Sequence, residues 1–185
     1  MRASTRREYI AGPAGRIECA VDKPEGIARG VALIAHPHPL FGGTLDNKVV
    51  QTLARALVEL GYETWRPNFR GVGETEGVHD EGRGELEDLA TIVNKLGPPT
   101  LVLAGFSFGA SLVARLAERV KPAWLVLVGL GITRLAAPPV PEGTLVIHGE
   151  NDDTVPLAEV LEWARPQELP VVLVPGADHF FHRKL

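Results

Sequence analysis

The chain has 185 residues, 45% of them hydrophobic, and a formal net charge of −4 from 19 Lys and Arg against 23 Asp and Glu. That length suits a single domain over residues 1–185, since a chain of this size buries about 70% of its unfolded surface and needs no staples. The scattered basic residues offer no face for nucleic acid, no apolar run reaches the roughly 20 residues of a membrane helix, and Met1 to Arg7 lacks a signal-peptide core.

The lone cysteine, Cys19, permits no internal disulfide and reads as a small buried strand residue. The expectation is a cytoplasmic protein with no nucleic-acid or membrane partner and no cofactor.

In chain order, Glu8–Ala11 and Arg16–Val21 read as strands joined by the turn Gly12-Pro13-Ala14-Gly15, an antiparallel hairpin. Gly30–His36 is a continuous apolar run, the mark of a strand buried on both faces. Asn47–Leu60 places Val49, Val50, Leu53, Leu57 and Leu60 at helical spacing, with Asp46 or Asn47 able to cap it and Gly61 to end it. A strand Tyr62–Pro67 precedes a Gly-rich loop, Arg70–Gly84, and an amphipathic helix, Glu85–Leu96. Thr100–Phe106 is a strand, Phe108–Val120 a helix, and Ala123–Gly129 and Thr144–His148 are strands. Pro156 opens a helix to about Ala164, and Val171–Val174 is the last strand. A hairpin followed by strand–helix alternation predicts an α/β fold: a mostly parallel sheet of about eight strands with helices on both faces.

Gly105-Phe106-Ser107-Phe108-Gly109 matches G-x-S-x-G between a predicted strand and a predicted helix. Such a turn needs close approach of strand and helix, which glycines two before and two after the serine permit. It displays the hydroxyl at a helix N-terminus, where developing negative charge is favoured. Ser107 is thus the candidate nucleophile.

A serine nucleophile needs a base, and the base needs a carboxylate to hold its tautomer. Both belong on loops after the carboxyl ends of strands, in the order Ser, acid, His. The loop after His148 carries Glu150, Asp152 and Asp153, of which Asp152 is preferred and Asp153 is the main rival. The loop after Val174 carries His179, the candidate base, with Asp178 beside it and His182 on an expected short terminal helix. The residue losing the contest between Asp152 and Asp153 is left to solvation in the loop or to capping the helix at Pro156.

An oxyanion hole requires backbone donors. One is expected from Phe108; the other comes from the loop after the strand ending at His36. Pro37 and Pro39 have no amide hydrogen, leaving His38 or Leu40. His36-x-His38 as a metal pair lacks a third ligand at useful spacing, so no metal is expected. Asp46, Arg70 and Glu74 either brace these loops or form plain surface ion pairs.

Taken together, His36-Pro37-His38-Pro39, Gly42-Gly43, Asn68-Phe69-Arg70-Gly71-Val72-Gly73, Gly105–Gly109, His148-Gly149-Glu150-Asn151-Asp152 and Gly176–Phe181 resemble the α/β-hydrolase superfamily over nearly the whole chain. The chain is most similar to small lidless hydrolases related to the dienelactone hydrolases and small carboxylesterases. The resemblance implies Asp152 as the acid, His179 as the base and His38 as the second oxyanion donor. It departs from the dienelactone hydrolases proper, which use Cys, so lactone chemistry is not implied. A second departure is that only six residues follow His179, so the family's usual final helix is expected to be short or absent.

Only Leu130–Gly143 separates two strands, too short for a lid domain, so the site should be open. Leu40, Phe41 and Phe180 are the candidate substrate contacts, on apolar walls suited to small acyl esters or thioesters. The expected activity is that of a carboxylesterase-like serine hydrolase acting on a small-molecule acyl substrate. Acyl transfer, small-amide hydrolysis and a non-catalytic binding module on the same scaffold are the alternatives.

Overall fold

In the computed structural model, which describes residues 5–133 and 135–185, eight strands form one sheet in the order β1-β2-β4-β3-β5-β6-β7-β8. They are β1 Arg6–Gly12, β2 Gly15–Asp22, β3 Val31–Ala35, β4 Glu63–Pro67, β5 Leu101–Phe106, β6 Trp124–Val128, β7 Leu145–Gly149 and β8 Val171–Val174. β1 and β2 form the antiparallel hairpin, β2 also runs antiparallel to β4, and every pair from β4 to β8 is parallel. The four α-helices are α1 Lys48–Glu59, α2 Arg83–Leu96, α3 Phe108–Val120 and α4 Leu157–Ala164.

The strand order reverses at β3. The chain goes from β3 outward to β4, then returns to place β5 on the other side of β3. The carboxyl ends of β3 and β5 therefore flank a crevice, the place where open α/β sheets bind ligands.

The helices bury both faces of the central strands. On one face α1 sets Val49, Val50, Ala54 and Leu57 against Ala32, Ile34, Val102 and Ala104. On the other, α2 and α3 pack Leu89, Ile92, Leu112, Val113 and Leu116 against Leu33, Ala35, Leu103 and Leu125. α1 starts where Asn47 accepts from the amides of Val49 and Val50, so Asn47, not Asp46, is the cap. Gly61, at φ 90°, follows its end. α2 begins two residues before its expected start, because the fully buried Glu85 reaches back to the amide of Gly82 at 2.9 Å. Cys19 is fully buried in β2, and burial pushes its thiol up to about 12.

On the α1 side, Trp124, Leu145 and Val172 share the sheet face by alternation and are 58%, 42% and 47% exposed. No helix among the described residues covers them. Residues 179–185 form turns, so the expected terminal helix at His182 is absent. Among the described residues, no helix is long and apolar enough to cross a membrane.

Candidate active site

Ser107 sits between β5 and α3 with φ 55° and ψ −119°, a conformation that non-glycine residues rarely adopt. Its surroundings over-determine it. A Cβ on Gly105 would lie 2.5 Å from the carbonyl oxygen of Gly109, and one on Gly109 would collide with the carbonyls of Ala35 and His36. A Cβ on Gly131 would lie 2.9 Å from the Ser107 carbonyl carbon. The Ser107 amide donates to Val128 O at 2.9 Å, and Gly131 N donates to Ser107 O at 3.2 Å. The turn is thus clamped by β3, β6 and the loop after β6.

His179 lies on the loop after β8, buried at 3% exposure, and its two nitrogens are committed. Nδ1 is 2.7 Å from Asp152 Oδ2, and Nε2 is 3.0 Å from Ser107 Oγ. Asp152, on the loop after β7, is itself buried. Its second oxygen accepts from Thr154 N at 3.0 Å and Val155 N at 2.7 Å. Burial pushes the Asp152 carboxyl up. The bond from His179, the Val155 amide and the nearby imidazoles outweigh that and hold it below the usual carboxylate range. Nδ1–H of His179 donating to an ionised Asp152 leaves Nε2 as the acceptor for the Ser107 hydroxyl. This arrangement can remove a proton from Ser107.

Asp153 is exposed and meets only the Thr154 hydroxyl, at 3.4 Å. It does not cap α4, whose first turn has no side-chain cap. Asp152 fills both roles expected of the two residues, orienting His179 with one oxygen and closing the turn before α4 with the other. Glu150 bonds the amide of Gly176 at 2.7 Å and so joins the two loops. Asp178 is turned away to His182 Nδ1 at 2.6 Å, an exposed pair that holds the Asp178 carboxyl below the usual range.

The loop after β3 folds over the serine. His36 is fully buried; its Nε2 accepts from Phe69 N at 3.0 Å and its Nδ1 donates to Pro37 O at 2.6 Å. Burial lowers its pKa to about 4, so it is neutral under the loop. Leu40 N donates to His38 Nδ1 at 3.3 Å, which commits the amide that rivals His38 as an oxyanion donor. The His38 ring packs on Phe108 at 4.7 Å and on Phe41 at 4.9 Å. Phe108 opens α3 directly after Ser107. Arg70 braces this region through a two-point bond to Asp88 of α2, at 2.6 and 3.0 Å. The ion pairs of Asp46 and Glu74, each at 3.4 Å, are surface pairs with Arg7 and Arg16.

Ser107 and His179 line a cleft of about 360 Å³. His38, Phe41, Phe108 and Phe180 also line it. Leu40 does not: it is 68% exposed outside the cleft. Sequence reasoning missed Asn47, Gly131, Thr133, Thr154 and Val155 on the walls. It also missed His148, fully buried beneath Asp152. His148 Nε2 donates to Val155 O at 2.9 Å and lies 3.6 Å from Asp152 Oδ2. Burial lowers the His148 pKa, against the opposing pull of Asp152 and the Val155 carbonyl. The H-G-x-x-D spacing was the available signal for this residue.

A model of the alpha/beta hydrolase fold family matches residues 38–138. A protein of uncharacterised function from Rickettsia prowazekii (strain Madrid E) is 32% identical over 197 residues, covering 95% of this chain and 82% of that one. Among solved structures, an α/β serine hydrolase homologue from Coxiella burnetii is 39% identical with a TM-score of 0.86, covering 100% of this chain and 93% of its own. A lidless α/β serine hydrolase from Xanthomonas campestris is 37% identical with a TM-score of 0.88, covering 100% of this chain and 89% of its own.

Proposed function

The chain belongs to the α/β-hydrolase family, and from that premise we propose that it cleaves small acyl esters or thioesters through a covalent acyl-enzyme on Ser107. The observation that carries this reading is the unbroken line Ser107 Oγ, His179, Asp152, with contacts of 3.0 and 2.7 Å. Residues 1–185 act in it as one catalytic domain.

In the proposed reaction, His179 Nε2 takes the Ser107 proton as Oγ attacks the substrate carbonyl. The negative charge on the carbonyl oxygen is met by the amides of Phe108 and His38. Asp152 stabilises the imidazolium without taking its proton. His179 then returns the proton to the departing alcohol or thiol, and the acyl group stays on Oγ. Water, deprotonated by His179, attacks the acyl-enzyme and releases the acid and the free serine. Several features favour a small substrate reached from solvent. The cleft is about 360 Å³, Phe41 and Phe180 line it, and no helix or strand is described between β6 and β7.

Covalent labelling tests the proposal. A fluorophosphonate is expected to add to Ser107 alone, because only an activated hydroxyl reacts. Ser111 is a useful control: it is fully buried one turn further along α3. An unlabelled protein, or labelling that survives Ser107→Ala, would overturn the assignment.

A further inference from the structure

Among the described residues, the cleft wall contains no Lys, Arg, Asp or Glu. Its polar groups beyond Ser107 and His179 are few, and most are already committed. The Thr133 hydroxyl donates to Glu159 at 3.0 Å, the Thr154 hydroxyl donates to Asp153 at 3.4 Å, and His38 Nδ1 accepts from Leu40 N.

Asn47 differs from these. Its side-chain oxygen accepts from Val49 N at 2.9 Å and Val50 N at 3.4 Å. Two backbone N–H groups require an acceptor, so the cap itself decides which arm of the amide is the oxygen. The other arm is an NH₂ group with two donors, and it has no partner among the described residues. The cap also fixes the side chain, so little rotamer freedom is lost when a ligand binds. Asn47 lines the main cleft and also a neighbouring hollow bordered by Lys48 and Phe181; Phe180 is shared between the two.

We propose that Asn47 is a specificity-determining residue, its side-chain NH₂ donating to a neutral oxygen acceptor carried by the substrate a few atoms from the scissile carbonyl. This rests on the serine-hydrolase reading and narrows its substrate class. The favoured esters carry an ether, hydroxyl or keto oxygen in the acyl or alcohol part, in place of a plain alkyl chain. In the cleft that holds Ser107, the described lining carries no charged side chain, which favours a neutral acceptor there. A half-buried donor cut off from solvent by a bound ligand favours a substrate that supplies an acceptor over one that leaves it unpaired.

The experiment uses matched pairs in which one methylene is exchanged for oxygen. 4-Nitrophenyl pentanoate is set against 4-nitrophenyl 3-methoxypropanoate and 2-ethoxyacetate, and butyl acetate against 2-methoxyethyl acetate. Each kcat/KM is divided by the rate of alkaline hydrolysis to remove intrinsic reactivity. The wild-type protein is expected to favour the oxygen member of at least one pair by about tenfold, mainly through KM. Asn47→Asp keeps a good helix cap but replaces the donors with a carboxylate oxygen. It should retain the melting temperature and bring that ratio to one or below. The readout is the ratio within a pair, so a general loss of activity does not imitate the result. Equal ratios in both proteins at every oxygen position, with turnover still abolished by Ser107→Ala, overturn the Asn47 assignment alone. Turnover that survives Ser107→Ala overturns the hydrolase reading and this inference with it.

Discussion

Ser107 and Asp152 reach the same histidine by opposite devices. Ser107 is held by backbone shape: a φ of 55° is enforced by neighbours so close that Gly105, Gly109 and Gly131 leave no space for a methyl group. Asp152 is held by hydrogen bonds to its own carboxylate, from Thr154 N, Val155 N and His179, with His148 beneath it. The first device resists small motions sterically. The second depends on the chemical identity of two oxygen atoms, so changing one atom without changing shape should matter at Asp152.

The largest expected effect follows from that difference. In Asp152→Asn the amide oxygen can keep the Thr154 and Val155 bonds, so the loop and the fold persist. The amide nitrogen then faces His179 Nδ1, donor against donor, and the ring must adopt the other tautomer or turn. Amide replacement of this kind in a comparable triad costs about 10⁴ in turnover. Ester turnover measured beside the melting temperature should show that loss with a nearly unchanged melt. Loss of turnover together with collapse of the fold would mean that the carboxylate is chiefly a structural brace.

The same contrast explains what was legible in the sequence. Shape leaves a written trace, because close approach demands glycine. Hence G-x-S-x-G between a strand and a helix pointed to Ser107, and the apolar runs gave all eight strands and the four helices. Hydrogen bonds around a carboxylate leave a fainter one, here only the H-G-x-x-D spacing. Nothing in Asp152-Asp153 states that one residue would orient His179 and also close the turn before α4. For whichever residue lost the first task, sequence alone leaves solvation or a cap equally open. Cleft walls are equally silent, because they are built from distant segments: Asn47 reads as a helix cap, and Thr133 and Val155 as loop residues. Leu40 was placed on the wall because it adjoins His38 and Phe41, but it turns outward.

A second measurement probes the platform under the elbow. Gly109 packs on the backbone carbonyl of His36, whose ring accepts from Phe69 N. His36 titrates at about 4 in the folded protein, against roughly 6.5 unfolded. Between those values the unfolded chain binds the proton and the folded chain does not. Stability therefore falls as pH drops from about 6.5 to about 4, and this contribution levels off below that. Linkage gives roughly 2–3 kcal/mol by pH 4.5. Urea unfolding at pH 7.5 and 4.5 should show the wild type losing that much more than His36→Gln, in which the titrating group is gone. Equal losses would mean that His36 is not the group destabilising the platform in acid.

The smallest expected effect is at Asp153, and it tests whether the division of labour at the acid loop is complete. Asp153 neighbours Asp152 in sequence but is exposed, and it touches only the Thr154 hydroxyl, at 3.4 Å. It bonds none of the amides at the start of α4, since Thr154 N and Val155 N both donate to Asp152. Asp153→Asn should therefore keep turnover within roughly tenfold, because Asp153 is solvent-exposed and bonds neither His179 nor the amides that hold Asp152. It should also leave the melting temperature in place, where loss of a true cap would cost about 1 kcal/mol and several degrees. A lowered melt with full activity would show that Asp153 contributes to the turn. A loss of turnover approaching that of Asp152→Asn would move the acid to Asp153 and refute the two-oxygen account of Asp152.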